Sequence, residues 1–319
     1  MTPRVTMRTA AWWALRAPLL RGAAHRAAAV RGNGLVLVYH RIRTAPPSES
    51  HEIIPSVTPE RFRGHLEALQ KAADIVPLER LHSPDGSRSS RPRLAVTFDD
   101  DYPSHVEQAL PILTQHNVPA TFFLSGRTLH DRGPYWFQLL ERWVQCAGVG
   151  AVAGGLGVDA TTATELALAC ERDVQLQGLV HDREAGDAAD VLDREGIRRL
   201  ADSGMTIGFH TVAHEQLPRL DERALRAALT HGRQELAEAV GSSLRLFAYP
   251  HGKADARTAA AVRDCGYAAA WTGHPRPARR DDHAFLRGRW EPGDVPGEEL
   301  LRGLAVRLHR SAPLATRYP

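Results

Sequence analysis

From residue 34 onward, unbroken apolar runs alternate with segments of helical period, and several runs close on residues able to do chemistry. Gly34 to His40 is one such run, the pattern of a strand covered on both faces in a parallel sheet. A polar loop follows to Thr58, where Thr58-Pro59 predicts a helix N-terminus and Phe62, Leu66 and Leu69 its apolar face. Residues 83–92 read as a surface loop. Leu94 to Phe98 is a second buried strand, and it delivers Asp99, Asp100 and Asp101 where it stops. Ser104 and Glu107 have capping-box spacing and predict a helix running to His116, before a strand from Pro119 to Leu124. Strand, helix and strand with short connections make a βαβ unit.

The rhythm then breaks between Tyr135 and about Ala189, where two helical stretches flank a Gly/Ala-rich loop, Gly148 to Gly157. This segment reads as an insertion, because the alternation resumes with a helix from Asp193 to Ser203 and a strand from Met205 to Phe209. A long helix from Asp221 to Val240 ends at Gly241, and a strand from Leu244 to Tyr249 runs into Pro250-His251-Gly252. One more helix, Asp255 to Cys265, precedes a strand from Tyr267 to Trp271. Repeated alternation over this length predicts a parallel α/β barrel, closed or nearly closed, over residues 34–310 with the insertion at about 135–189.

Composition changes the picture mainly at the front of the chain. The 319 residues are 43% hydrophobic and 24% charged with a formal net charge of +3, so charge does not argue for nucleic acid as a partner. Residues 1–33 form a basic extension: Arg4, Arg8, Arg16, Arg21, Arg26 and Arg31 occur with no acid before Glu49. Its longest uncharged run, Thr9 to Leu15, is too short to span a bilayer. Residues 1–31 are expected to lie against anionic headgroups, with Trp12 and Trp13 on the apolar side, which places the protein in the cytoplasm or on the cytoplasmic face of the inner membrane. The three cysteines, Cys146, Cys170 and Cys265, indicate neither a disulfide framework nor a thiolate metal site and read as small buried hydrophobes.

In a parallel barrel the reacting groups sit at the C-terminal ends of strands. His40, Asp99 with Asp100, His210 with His214, and His251 all fall at such ends. Adjacent residues of an extended chain point to opposite sides, so Asp99 and Asp100 can divide the work of holding a cation and accepting a proton. Two imidazoles and one carboxylate suit zinc or a similar divalent ion and leave positions for water and substrate. Taken singly, the acids also fit a solvated turn and the histidine pair a structural role.

Thr97-Phe98-Asp99-Asp100, then His210-Thr211-Val212-Ala213-His214, then Phe247-Ala248-Tyr249-Pro250-His251-Gly252, in this order, resemble the three main motifs of the polysaccharide deacetylase family, the NodB-like carbohydrate esterases. The similarity covers about residues 34 to 290 without the insertion. The resemblance implies a distorted (β/α) barrel that removes an N-acetyl group from an amino sugar with the help of a divalent metal. It assigns Asp100, His210 and His214 as metal ligands, Asp99 as catalytic base, and the backbone N–H of His251 as an oxyanion donor. Three departures stand out: Asp101 replaces a glycine and so is expected to take a turn conformation, Ala248 replaces an arginine that pairs with the base, and no Leu-x-His motif supplies a general acid. Arg287 or Arg289 is expected to replace the missing arginine, unless both are solvated on an edge. His40 is expected to protonate the leaving amine, unless it is structural. The functional expectation is hydrolysis of N-acetyl groups on an N-acetylated carbohydrate, a glycan or its precursor. Its alternatives are an O-acetyl esterase acting on carbohydrate and a glycan-binding barrel without turnover.

Overall fold

Strands whose alternate residues face two different cores build the structure. A computed structural model describes residues 34–44, 52–81, 91–130, 132–183, 191–279 and 281–309. The basic extension, with its expected membrane contact, and most of the 83–92 loop lie outside the described residues. In chain order the elements are β1 (Gly34–Tyr39), β2 (Arg41–Ile42), β3 (Ser56–Val57), α1 (Pro59–Ala72), β4 (Asp74–Ile75) and β5 (Arg93–Asp99). A π-helical turn (His105–Ala109) leads into α2 (Leu110–Gln115), followed by β6 (Ala120–Leu124). The insertion comprises α3 (Trp136–Ala147), α4 (Val149–Leu156), α5 (Ala163–Arg172) and α6 (Val174–Arg183). Then come α7 (Arg194–Asp202), β7 (Thr206–Phe209), α8 (Glu222–Thr230), α9 (Arg233–Val240), β8 (Leu246–Ala248), α10 (Ala256–Asp264), β9 (Ala269–Trp271) and α11 (Gly297–His309).

The main sheet runs β1-β5-β6-β7-β8-β9 with every pair parallel, and β4 adds to the start of β5. Residues 287–290 carry the ring from its last strand back to its first: Arg287 bridges Trp271 of β9 and Trp290 bridges Leu37 of β1. Leu37, Val96, Phe98, Phe122 and Phe209 face outward into a core shared with the helices. Val36, Ala95, Phe123, Ala248 and Trp271 face inward and pack on one another. On this two-residue period the inward parity of β1, β5 and β7 continues to His40, Asp99 and His210 at the strand ends, which aims these side chains at the mouth of the barrel.

Thr58, Asp193, Asp221 and Asp255 cap the helices they precede, each accepting a backbone N–H three residues on. Four expectations are corrected. Ser104 makes no capping bond; its hydroxyl accepts the Ile42 N–H instead, and the helix opens as a π turn. The Gly/Ala-rich stretch is helical rather than a loop, because Val152, Ala153 and Leu156 give it an apolar face that packs within the insertion. The helix expected from Asp221 to Val240 breaks in two at Gly232, whose φ of 79° belongs to the left-handed region. Cys146 is exposed and Cys265 only partly covered, leaving Cys170 as the buried thiol. Beyond the expected elements, α11 packs against α1 and β1 through residues such as Leu300 and Leu304.

Candidate active site

The strand ends converge on a cavity of about 380 Å³ lined by His40, Asp99, Asp100, His210, His214, His251 and Arg289. Asp99 lies at the end of β5 and is 3% exposed. Arg289 grips it in a bidentate pair, Nη1 to Oδ1 at 2.5 Å and Nη2 to Oδ2 at 2.6 Å. Burial alone would raise this carboxyl; the Arg289 charge and hydrogen bonds, helped by His210 and His40, reverse the effect and hold it below the ordinary carboxylate range. Arg287 does not reach Asp99. It lies two residues earlier on the closing segment, roughly 7 Å along an extended chain, and its guanidinium sits 5.6 Å from the centre of the Trp271 ring.

Asp100, His210 and His214 bring one ligand atom each to within 4.8 Å of one another. Asp100 Oδ1 stands 3.6 Å from His210 Nε2 and 3.5 Å from His214 Nε2. His210 Nδ1 donates to the Ala248 carbonyl at 2.8 Å, which fixes the tautomer and leaves the Nε2 lone pair facing Asp100. Ala248 thus contributes its backbone to the site. Burial lowers both imidazoles, His210 to about 4, so both are neutral as metal ligands must be. Asp100 Oδ1 is buried without a hydrogen-bond partner among the described residues, and burial, reinforced by Asp99 and Asp101 against the pull of His40, pushes its carboxyl up to about 7. A buried acid with a bare oxygen between two neutral imidazoles fits a divalent cation, whose charge would restore the carboxylate.

Left-handed backbone concentrates here. Of the five described non-glycine residues with positive φ, four belong to the site: Asp100 at 68°, Thr211 at 58°, His214 at 55° and His251 at 57°. Each such residue costs about 1–3 kcal/mol, which the surrounding contacts must offset for the conformation to persist. The turn conformation expected of Asp101 is therefore taken by Asp100. Asp101 is instead a buried anchor: its carboxylate accepts from Ser125 N at 2.7 Å, Ser125 Oγ at 2.6 Å and Arg127 N at 3.0 Å.

His40 lines the same cavity and holds Glu291 through Nδ1 at 2.8 Å. Its burial would lower it, but Glu291 outweighs that, with Asp100 and Asp99 adding their charge, and raises it to about 9. Glu291 escaped the sequence reading, although it continues the alternation of Arg287 and Arg289. The His251 side chain bonds Glu171 Oε1, at 3.1 Å, and the carbonyl of His214, at 3.2 Å, with its ring centre 4.5 Å from that of His214. Glu171 belongs to the insertion, as do Trp136, Phe137 and Leu168 in the cavity wall, and no motif announced them.

Comparison with known proteins agrees with this architecture. The Streptococcus pyogenes deacetylase PplD, solved in complex with acetate, has a similar fold at TM-score 0.60 and 15% identity, over 86% of this chain and 98% of that one. IcaB from Ammonifex degensii gives TM-score 0.53 at 20% identity, over 87% and 98%. An uncharacterised protein of Streptomyces coelicolor is 28% identical over 152 residues, which is 44% of this chain and 61% of that relative's length. A family model for polysaccharide deacetylases matches residues 86–270, a span that holds Asp99, Asp100, His210, His214 and His251. On that match, which takes in more than half of the 319 residues, the chain belongs to the polysaccharide deacetylase family.

Proposed function

We propose that this protein is a metal-dependent hydrolase that removes N-acetyl groups from an amino-sugar glycan or glycan precursor. The observation that carries the reading is the Asp99 carboxyl group, clamped by Arg289 beside the Asp100, His210 and His214 cluster within one cavity. A divalent cation held by those three residues, zinc by its taste for imidazole and carboxylate, would polarise the acetyl carbonyl and make a water acidic enough to attack. Asp99 accepts the proton of the attacking water at a carboxylate oxygen, and Arg289 keeps that oxygen ionised and aimed. The backbone N–H of His251 serves as the chain's own donor to the acetyl oxygen as it gains charge. When the C–N bond breaks, His40 gives its proton to the departing nitrogen, which leaves as an amine, and Glu291 holds the imidazole charged until then.

The His40–Glu291 pair also favours an amide over an ester. An amine is a poor leaving group without a proton, whereas an alkoxide needs less help. A glycan-binding barrel without turnover would have no use for an ionised base beside its metal ligands. The test is acetate release by metal-loaded protein from a panel of N-acetylated amino-sugar oligomers set beside O-acetylated carbohydrates. Release from the N-acetylated members is expected; release from the esters alone, or from neither, contradicts the reading.

A further inference from the structure

We propose that the cavity-facing stripe of α5 is a sugar-binding wall that holds the ring next to the acetylated one. Thr164, Ala167, Leu168 and Glu171 all line the catalytic cavity, and their spacing of three, four and seven residues from Thr164 puts them on one helix face. The opposite stripe, Ala163, Leu166 and Cys170, is buried in the core of the inserted helices. The bundle therefore accounts for one face of α5 and leaves the other aimed at the reacting groups. Leu168 is 42% exposed on that second face and, with Trp136 and Phe137, gives the cavity an apolar flank beside its ionisable groups.

The wall is fixed in place. Glu171 accepts from His251 Nδ1 and from Lys253 Nζ, both at 3.1 Å, which ties α5 to the segment following β8. The order of chemistry along the stripe, a hydroxyl, two apolar groups and a carboxylate paired to a lysine, matches a pyranose, whose C–H face is bordered by hydroxyls. Because the stripe and Asp99 share one cavity, a single molecule fills both, its acetyl group at Asp99 and its next ring on α5. The inference rests on the deacetylase reading for the acetyl end only.

The test compares full-length protein with Leu168→Ala, and with Leu179→Ala as a control in the same inserted bundle, 50% exposed and away from the cavity. Calorimetric titration with a β-1,4-linked tetramer of N-acetylglucosamine and with the monomer is run with chelator to stop turnover, then repeated as metal-loaded kinetics. Leu168→Ala is expected to bind the tetramer about tenfold more weakly and to raise its KM with kcat within twofold, the pattern of contacts remote from the reacting bond. Monomer binding and the Leu179→Ala control are expected to stay unchanged. Equal tetramer affinity in the Leu168→Ala and unmodified proteins, or no tetramer binding by either, overturns the wall. Leu168-dependent binding without any acetate release upholds the wall while refuting the hydrolase reading.

Discussion

Arg289 decides what Asp99 is able to do. A buried carboxylate flanked by Asp100 and Asp101 would resist ionisation, and the bidentate guanidinium is what reverses this. Arg289→Lys keeps the charge but loses the fork, so Asp99 should titrate higher. Because the reaction needs Asp99 ionised, the acidic limb of the kcat/KM profile should move to higher pH, with a loss of at least about tenfold at neutrality. Arg287→Ala, whose side chain rests on Trp271, should leave that limb where it is. Steady-state acetate release across pH checks both; an unshifted limb in Arg289→Lys would remove the arginine from the role. At this scale the sequence put His40, Asp99, Asp100, His210, His214 and His251 at strand ends, where one cavity gathers them, because strand parity and motif order are local facts. It left Arg287 and Arg289 undivided, since alternation gives the side of a strand but not the depth along it. The turn expected of Asp101 falls to Asp100 for a related reason: only the fold brings Ser125 and Arg127 to the Asp101 carboxylate.

The elements follow from local rules wherever those rules act alone. Thr58, Asp193, Asp221 and Asp255 cap as their letters suggest, and the apolar runs became strands with ends moved by at most two residues. The insertion departs from this because its glycines answer to packing. In α4, a Cβ on Gly155 would stand 2.9 Å from the Trp143 ring, while one on Gly154 would meet nothing within 4 Å. Gly→Ala in a helix gains about 1 kcal/mol of propensity, whereas forcing atoms into a packed contact costs about 1–3 kcal/mol. Gly154→Ala should therefore raise the denaturation midpoint and Gly155→Ala should lower it or leave it level. A Gly155→Ala protein as stable as Gly154→Ala would show that α3 and α4 are not held against each other by this contact.

At the scale of the molecule, parallel strands bring residues from distant parts of the chain to one mouth, and the segment 287–290 closes the ring while delivering Arg289. The barrel and its family were legible in the order of three short motifs. The wall built by α5 was not, because which face of an inserted helix meets the cavity depends on contacts between Glu171 and residues about 80 positions away. The central claim is that Asp99 accepts a proton beside a cation that Asp100, His210 and His214 hold. The most direct measurement is the rate of acetate release from an N-acetylated amino-sugar oligomer by Asp99→Asn, with metal content determined on the same sample. The account predicts an unchanged metal complement and a rate lower by about 10²- to 10⁴-fold. A metal-loaded Asp99→Asn protein that turns over at the unmodified rate would contradict it.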